Sequence, residues 1–427
     1  MSDATAVHQN ETALVSALIQ LIVIILAARL SGNAAVALKQ PRAVGEIIAG
    51  LALGPSLFGA LAPGLSHALF TPESAGLMFA MSQIGLILLM FQIGGDFEFS
   101  RLNDARARRA VLFVMAASLV APLATGFAAG WLSAPFLASE IAPLPYALFV
   151  SIAFAITAVP ILGRILREYG MTRTETGVIA ISAAAGNDVV GWVLLASVAA
   201  YASAGAAASP ALQIAGLIAL LAFVRFAGPG FVRFLLRRFP LVDDEAPPVL
   251  MSIVLAMIFA GGVATQRLGI FTIFGGFLMG LLFHPHPAFI ESWRRQVGQF
   301  VLVLFLPIFF TYTGLRTNVL GLDSLSDWAW CGGLFFAAVA SKIVPTCLAA
   351  RAAGLAAADA KIIGVLMNTR ALMELIVLNI GLSLGFIPEE VFTMLVIMAI
   401  GTTVMTGPLL HRLLKESGRA ALERVDA

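Results

Sequence analysis

Apolar runs recur along the whole chain, separated by short polar turns. As helices, runs of about 20 residues match the ~30 Å hydrocarbon core of a bilayer. They predict spans at about 12–30, 36–54, 74–95, 109–131, 145–166, 174–202, 208–227, 247–264, 268–283, 299–316, 330–350, 360–385 and 390–412. The weaker signature of an outer-membrane barrel, short segments that alternate apolar and polar, is not the pattern here. Polar residues inside the runs are few. Span 5 contains Ile156-Thr157-Ala158-Val159-Pro160, span 6 contains Asn187-Asp188, span 11 contains Lys342, and span 12 contains Asn368-Thr369-Arg370-Ala371.

Composition agrees with the pattern. Hydrophobic residues make up 60% of the chain and charged residues 12%, where a soluble domain carries about 25% charged residues. An integral membrane protein follows. Cys331 and Cys347 share one apolar span, so neither a disulfide framework nor a metal site is indicated. No Walker A, G-x-S-x-G, H-E-x-x-H or G-x-G-x-x-G signature occurs, which points away from an enzyme or a cofactor. Residues 1–11 hold no Lys or Arg, so no cleaved signal peptide is expected.

The basic residues are placed by topology, so the net charge of +2 says nothing about nucleic acid. With the N-terminus outside, successive inner loops collect Lys39 and Arg42; Arg101, Arg106, Arg108 and Arg109; Arg164, Arg167 and Arg173; Arg233, Arg237 and Arg238; Arg294 and Arg295; and Arg351 with Lys361. The tail adds Arg412, Lys415, Arg419 and Arg424. With Arg29 and Arg225 at inner helix ends, 22 of 26 Lys and Arg lie inside, and Arg267 and Arg316 outside. This excess of inner positive charge fits thirteen helices with an outer N-terminus and a cytoplasmic C-terminus.

An odd count with a lone middle helix suggests two inverted repeats, residues 12–202 and 247–412, joined by a helix at 208–227, with tails at 1–11 and 413–427. The expected fold is an all-α membrane protein with two discontinuous helices at matching places, spans 5 and 12, and a midplane site between repeats. Pro160 argues directly for the first break; the second rests on its polar cluster. With no ATP-binding motif, transport would be driven by an ion gradient.

Asp188 leads the candidates, because an ionised carboxylate at mid-helix costs roughly 2.5–3.5 kcal/mol on insertion scales. It reads either as a structural partner of a cation or as a carrier that takes H⁺ or a monovalent cation in turn. Lys342 lies too far from both span ends to snorkel and reads as a partner for Asp188 or Asn187. Arg370 and Glu374, four residues apart, either satisfy each other or flank the break in span 12. Thr157 is a packing hydroxyl or an ion ligand. Glu46 is an interfacial charge or part of an inner cation funnel. Gly50 and Gly54 form a small-residue packing face, and His284 and His286 are solvated loop residues or pH sensors.

Several motifs in order give a resemblance over residues 12–412: Val44-Gly45-Glu46-Ile47-Ile48-Ala49-Gly50 with Leu53-Gly54-Pro55-Ser56; Asn187-Asp188 with Trp192; Leu306-Pro307-Ile308-Phe309-Phe310 with Gly314-Leu315; and Met367-Asn368-Thr369-Arg370 with Glu374 to Gly381. On these the chain resembles the cation:proton antiporter-2 family of the sodium/proton exchanger superfamily, nearest to plant cation/proton exchangers and their bacterial relatives. The resemblance implies crossed broken helices in an inverted-repeat fold, a core domain moving against a dimerisation domain, and homodimers. It maps the ion-binding carboxylate onto Asp188, the core lysine onto Lys342 and the unwound threonine onto Thr157. Asn187 stands where electrogenic relatives have a second aspartate, and Ala371 where relatives often have glycine, which would stiffen that break. The nucleotide-binding domain many relatives carry is not expected. The function expected is exchange of K⁺ or Na⁺ for H⁺, electroneutral because Asn187 does not titrate. A K⁺ efflux pathway gated by partner proteins and a transport-inactive sensor are the alternatives.

Overall fold

The computed structural model describes residues 2–38, 40–96, 105–172, 174–203, 216, 218–220, 222–268 and 271–417. Every named element among them is helical, with one isolated bridge between Val242 and Glu245. The chain runs through α1 (Ser2–Ala37), α2 (Arg42–Leu53) with a π turn after it at Pro55–Gly59, α3 (Pro63–Leu69), α4 (Pro72–Gly95), α5 (Ala105–Leu137), α6 (Pro143–Ala155), α7 (Val159–Glu168) and α8 (Glu175–Ser203). It continues through α9 (Gly228–Arg238), α10 (Pro248–Arg267), α11 (Thr272–Phe283), α12 (Pro287–Trp293), α13 (Leu306–Leu315), α14 (Leu325–Ala352), α15 (Ala357–Met367), α16 (Leu372–Ser383) and α17 (Glu389–Glu416). Proline in the first turn starts α4, α6, α7 and α10, where its missing N–H costs no hydrogen bond. Ser324 and Asp327 close a capping box on α14.

Ten helical stretches among the described residues are long and apolar enough to cross a membrane, against the thirteen expected. The expected spans 2, 5 and 9 fall short. α2 has 12 residues before its π turn, α6 has 13 because the chain unwinds after Ala155, and α11 has 12. At 1.5 Å per residue, 12 residues cover only about 18 Å. Hydropathy integrates over a window and cannot see where the helical hydrogen bonds stop. Several residues used to orient the chain, Lys39, Arg101, Arg173, Arg419 and Arg424, lie outside the described residues, as do residues 208–215 of the expected linking helix and 418–427 of the tail.

Contacts divide the chain into two units. The first takes in the described residues within Met1–Ala27, Phe58–Glu98 and Ala199–Tyr312. There α4 and α10 pack along α11, and one end is closed by aromatic rings, with Phe91 at 4.5 Å from Trp293 and 5.5 Å from Phe283 between ring centroids. The second takes in the described residues within Ala28–Leu57, Phe99–Val198 and Thr313–Ala427. In it α5 packs on α6 and α14, α14 on α15 and α17, and α16 on α17. Residues 362–381 are all buried, so most of the expected twelfth span has protein on every side. A Cβ on Gly314 would overlap the Gly50 carbonyl, and one on Gly54 the Gly314 carbonyl. The small-residue face of α2 therefore serves backbone-to-backbone packing.

Apolar side chains also face outward in order. Leu14, Leu18, Ile22, Leu26 and Leu30 on α1 are each about half exposed or more, and their spacing of four makes them one stripe. Water would penalise that stripe, while lipid accepts it.

Candidate functional site

Two breaks meet inside the second unit. α6 ends at Ala155, the chain is non-helical over 156–158, and α7 begins at Val159 with Pro160 in its first turn. α15 ends at Met367, the chain is non-helical over 368–371, and α16 begins at Leu372. The Ala158 N–H donates to the Thr369 carbonyl at 2.9 Å, and the Thr157 hydroxyl to the Met367 carbonyl at 3.4 Å. Each break is thus held by the other, as expected for crossed discontinuous helices.

A break leaves helix ends in an apolar interior, each with unpaired backbone groups and a partial charge. The buried charges sit at those ends with complementary sign. Lys342 donates to the carbonyls of Ala155 and Ile156, at the C-terminal end of α6, and to that of Ser118 on α5 at 2.9 Å. Arg370 donates to the Ala153 carbonyl at 2.9 Å and to the Ala338 carbonyl at 3.1 Å. Asp188 faces Lys342 and the backbone N–H of Val159, the first residue of α7. Glu374 lies in the first turn of α16. Cations at the carbonyl end and carboxylates at the amide ends are the arrangement that helix dipoles favour, and it makes four charges tolerable where lipid would forbid them.

Asp188 is 2% exposed, and its carboxylate oxygens make no close, well-aligned hydrogen bond, the Val159 N–H only facing them. Lys342 neutralises it across space but gives its N–H groups to carbonyls. Asn187 donates to the Ser118 hydroxyl at 2.7 Å, tying α8 to α5, and its own oxygen is unpartnered. Arg370 and Glu374 approach only to 3.9 Å, and both Glu374 oxygens also lack hydrogen bonds. The spacing of four therefore brings this pair near each other without satisfying the carboxylate. Glu46 is buried on α2. Ser118, which receives both Asn187 and Lys342, is the residue sequence reasoning missed. Its only trace is a hydroxyl in an otherwise apolar stretch of span 4. His286 is held below the usual histidine range by burial, then by Arg233 and His284.

Ala371, at the start of α16, has φ 43° and ψ −114°, a backbone conformation proper to glycine. A non-glycine residue there costs about 1–3 kcal/mol, so Ala371 strains the break in addition to any stiffening. Ala371→Gly relieves that strain and returns roughly 0.5–1 kcal/mol as chain entropy. The expected result is a higher melting temperature for purified protein in detergent. An equal or lower one removes the strain argument.

Residues 21–416 match the family described as sodium/hydrogen exchanger, transmembrane. The chain belongs to the sodium/hydrogen exchanger family. This exchanger is 34% identical over 401 residues to the Na(+)/H(+) antiporter NhaS4 of Synechocystis sp., covering 93% of this chain and 96% of that one. It is 32% identical to cation/H(+) antiporter 17 of Arabidopsis thaliana over 95% of its own length, and spans only 50% of that longer protein. It is 27% identical to K(+)/H(+) antiporter 1 of Saccharomyces cerevisiae, over 91% of this chain and 45% of the relative. The solved structure of the sodium proton antiporter MjNhaP1 from Methanocaldococcus jannaschii has the same fold, with a TM-score of 0.65 at 14% identity, covering 96% of this chain and 98% of that one.

Proposed function

We propose that the protein exchanges a monovalent cation, K⁺ or Na⁺, for H⁺ by alternating access, with Asp188 as the carboxylate both ions use. One observation carries this reading. Asp188 is buried beside the crossing of two broken helices with neither oxygen in a well-formed hydrogen bond. Where Glu374, likewise without hydrogen bonds, lies 3.9 Å from the Arg370 guanidinium, Asp188 has the Val159 N–H and the more distant Lys342 facing it. An uncommitted carboxylate takes either a proton or a cation, and competition between them for one group couples their movements. The names of the relatives, which include Na(+)/H(+) and K(+)/H(+) antiporters, support the same class.

Exchange is one for one and electroneutral. Asn187 carries no titratable proton, and Lys342 has three carbonyl acceptors for the three N–H groups of an ammonium. Asp188 is then the group whose charge is exchanged. Transport in proteoliposomes should neither generate nor follow a membrane potential. Asn187→Asp supplies a second carboxylate, and the Ser118 hydroxyl can reverse its role and donate to it. That variant is expected to become sensitive to valinomycin-imposed potential. Potential-driven transport by the unaltered protein would sink the one-for-one reading.

Thirteen spans in two inverted repeats, an outer N-terminus, a cytoplasmic C-terminus in the inner membrane, and a homodimer belong to the same proposal. Cysteine accessibility at residues 8 and 415 tests the orientation, and mass measurement in detergent tests the dimer.

A further inference from the structure

Among the residues of the second break, Asn368 alone has a side chain whose polar atoms are all without a hydrogen-bond partner. The side chain is essentially sealed, at 1% exposure. An unpartnered buried amide costs about 1–3 kcal/mol for each polar group left unsatisfied. Nothing about helix formation calls for an amide there. Asn368 is the C-cap of α15 with no side-chain bond to the backbone, and an apolar residue would fill the volume without that cost.

Its position suggests what the amide is for. The carbonyls on either side of it, those of Met367 and Thr369, receive the Thr157 hydroxyl and the Ala158 N–H. The next residue after Ala158, Val159, turns its N–H toward Asp188. Asn368 is therefore a residue of the crossing itself. Unpartnered oxygens occur on the buried residues at or next to the two breaks: both of Asp188, Oδ1 of Asn187, Oδ1 of Asn368 and both of Glu374, the last two facing the Arg370 guanidinium. A dehydrated monovalent cation needs several oxygens in place of its water, and their number and field strength set the preference between K⁺ and Na⁺. One carboxylate cannot supply that shell.

We propose that Asn368 is a specificity-determining ligand, its amide oxygen joining the Asp188 carboxylate around the transported cation. A neutral amide adds a ligand of weak field. Taking it away leaves fewer and harder ligands, and the larger ion, which needs more of them, loses more. The inference rests on the antiport reading and adds a residue that neither the Asn187-Asp188 motif nor Thr157 accounts for.

The test compares the unaltered protein with Asn368→Ala in everted vesicles, reading half-saturating K⁺ and Na⁺ from dequenching of a pH dye. In parallel, the melting temperature of the purified full chain is measured in KCl and in NaCl. The expected result is a weaker apparent affinity for both ions, with that for K⁺ falling several-fold further than that for Na⁺. The KCl-induced rise in melting temperature should shrink while the cation-free melting temperature stays level or rises. An unchanged K⁺-to-Na⁺ ratio overturns the proposal. So does an equal loss for both ions together with a lower cation-free melting temperature, which marks a packing residue. Should Asn368→Ala not accumulate, Asn368→Ser is read by the same ratio. If the unaltered protein gives no cation-dependent dequenching, the antiport reading fails. The melting-temperature comparison still decides whether Asn368 binds a cation.

Discussion

Asp188→Asn is expected to abolish cation-driven dequenching while the protein accumulates normally and melts at the same temperature or higher. The two halves of this result have one cause. The carboxylate is buried and its oxygens make no well-formed hydrogen bond, so its ionised form burdens the fold. In the variant Lys342 still gives its N–H groups to three carbonyls, so no bare ammonium is left behind while a costly buried carboxylate charge is removed. An amide of the same shape keeps the packing against α7, but it can hold neither an exchangeable proton nor a counter-charge for a cation. Vesicle assays at matched protein level, with thermal unfolding of the purified variant, give both readings. Dequenching that persists in well-expressed Asp188→Asn rules out the carrier role. Loss of protein together with activity assigns Asp188 a structural one.

Lys342→Ala has the opposite signature. The ammonium serves the carbonyls of Ser118, Ala155 and Ile156 and also faces Asp188. Its removal leaves those carbonyls without a donor and a carboxylate without its compensating charge. Breaking a buried charge pair from one side costs about 3–5 kcal/mol. A marked fall in melting temperature and in protein level is expected, with transport lost as a consequence. The double variant Asp188→Asn with Lys342→Ala separates the two contributions, because no uncompensated charge remains. It should be more stable than Lys342→Ala alone by more than about 1 kcal/mol, a coupling typical of residues in one network. Additive effects would mean that Lys342 acts only as a cap on α6. Lys342→Gln, which keeps two N–H donors, falls between.

How much of this was legible beforehand varies by residue. Asp188, Lys342, Arg370 and Glu374 stand out because charge inside an apolar run is costly wherever it lies. The break at residues 156–158 was legible from Pro160, although the proline proved to begin the second half-helix. The break at 368–371 had only a polar cluster as its signal. The count of spans was not secure, because a helix that stops and restarts has the hydropathy of one that continues. Ser118 was invisible, since a lone serine in a membrane helix usually bonds its own backbone; Ser118 does so to Met115, and nothing local shows that it also receives groups from α8 and α14. Ala371 stands where relatives often have glycine, but the sign of its φ is a property of the folded chain alone.

By itself, then, the sequence determined that the chain lives in a membrane, that it spans as helices, and that a few charged groups are kept inside at a cost. Those conclusions follow from solvation energies, which depend on residue type and run length. The tertiary structure decided which charge meets which helix end. Lys342 caps α6 instead of pairing closely with Asp188, Arg370 reaches the carbonyls of Ala153 and Ala338 before Glu374, and Asp188 keeps both oxygens uncommitted. Partnering at distances of about 3 Å depends on how separate helices cross. No local pattern encodes that, so the difference between a paired carboxylate and one free to carry an ion appears only in the fold.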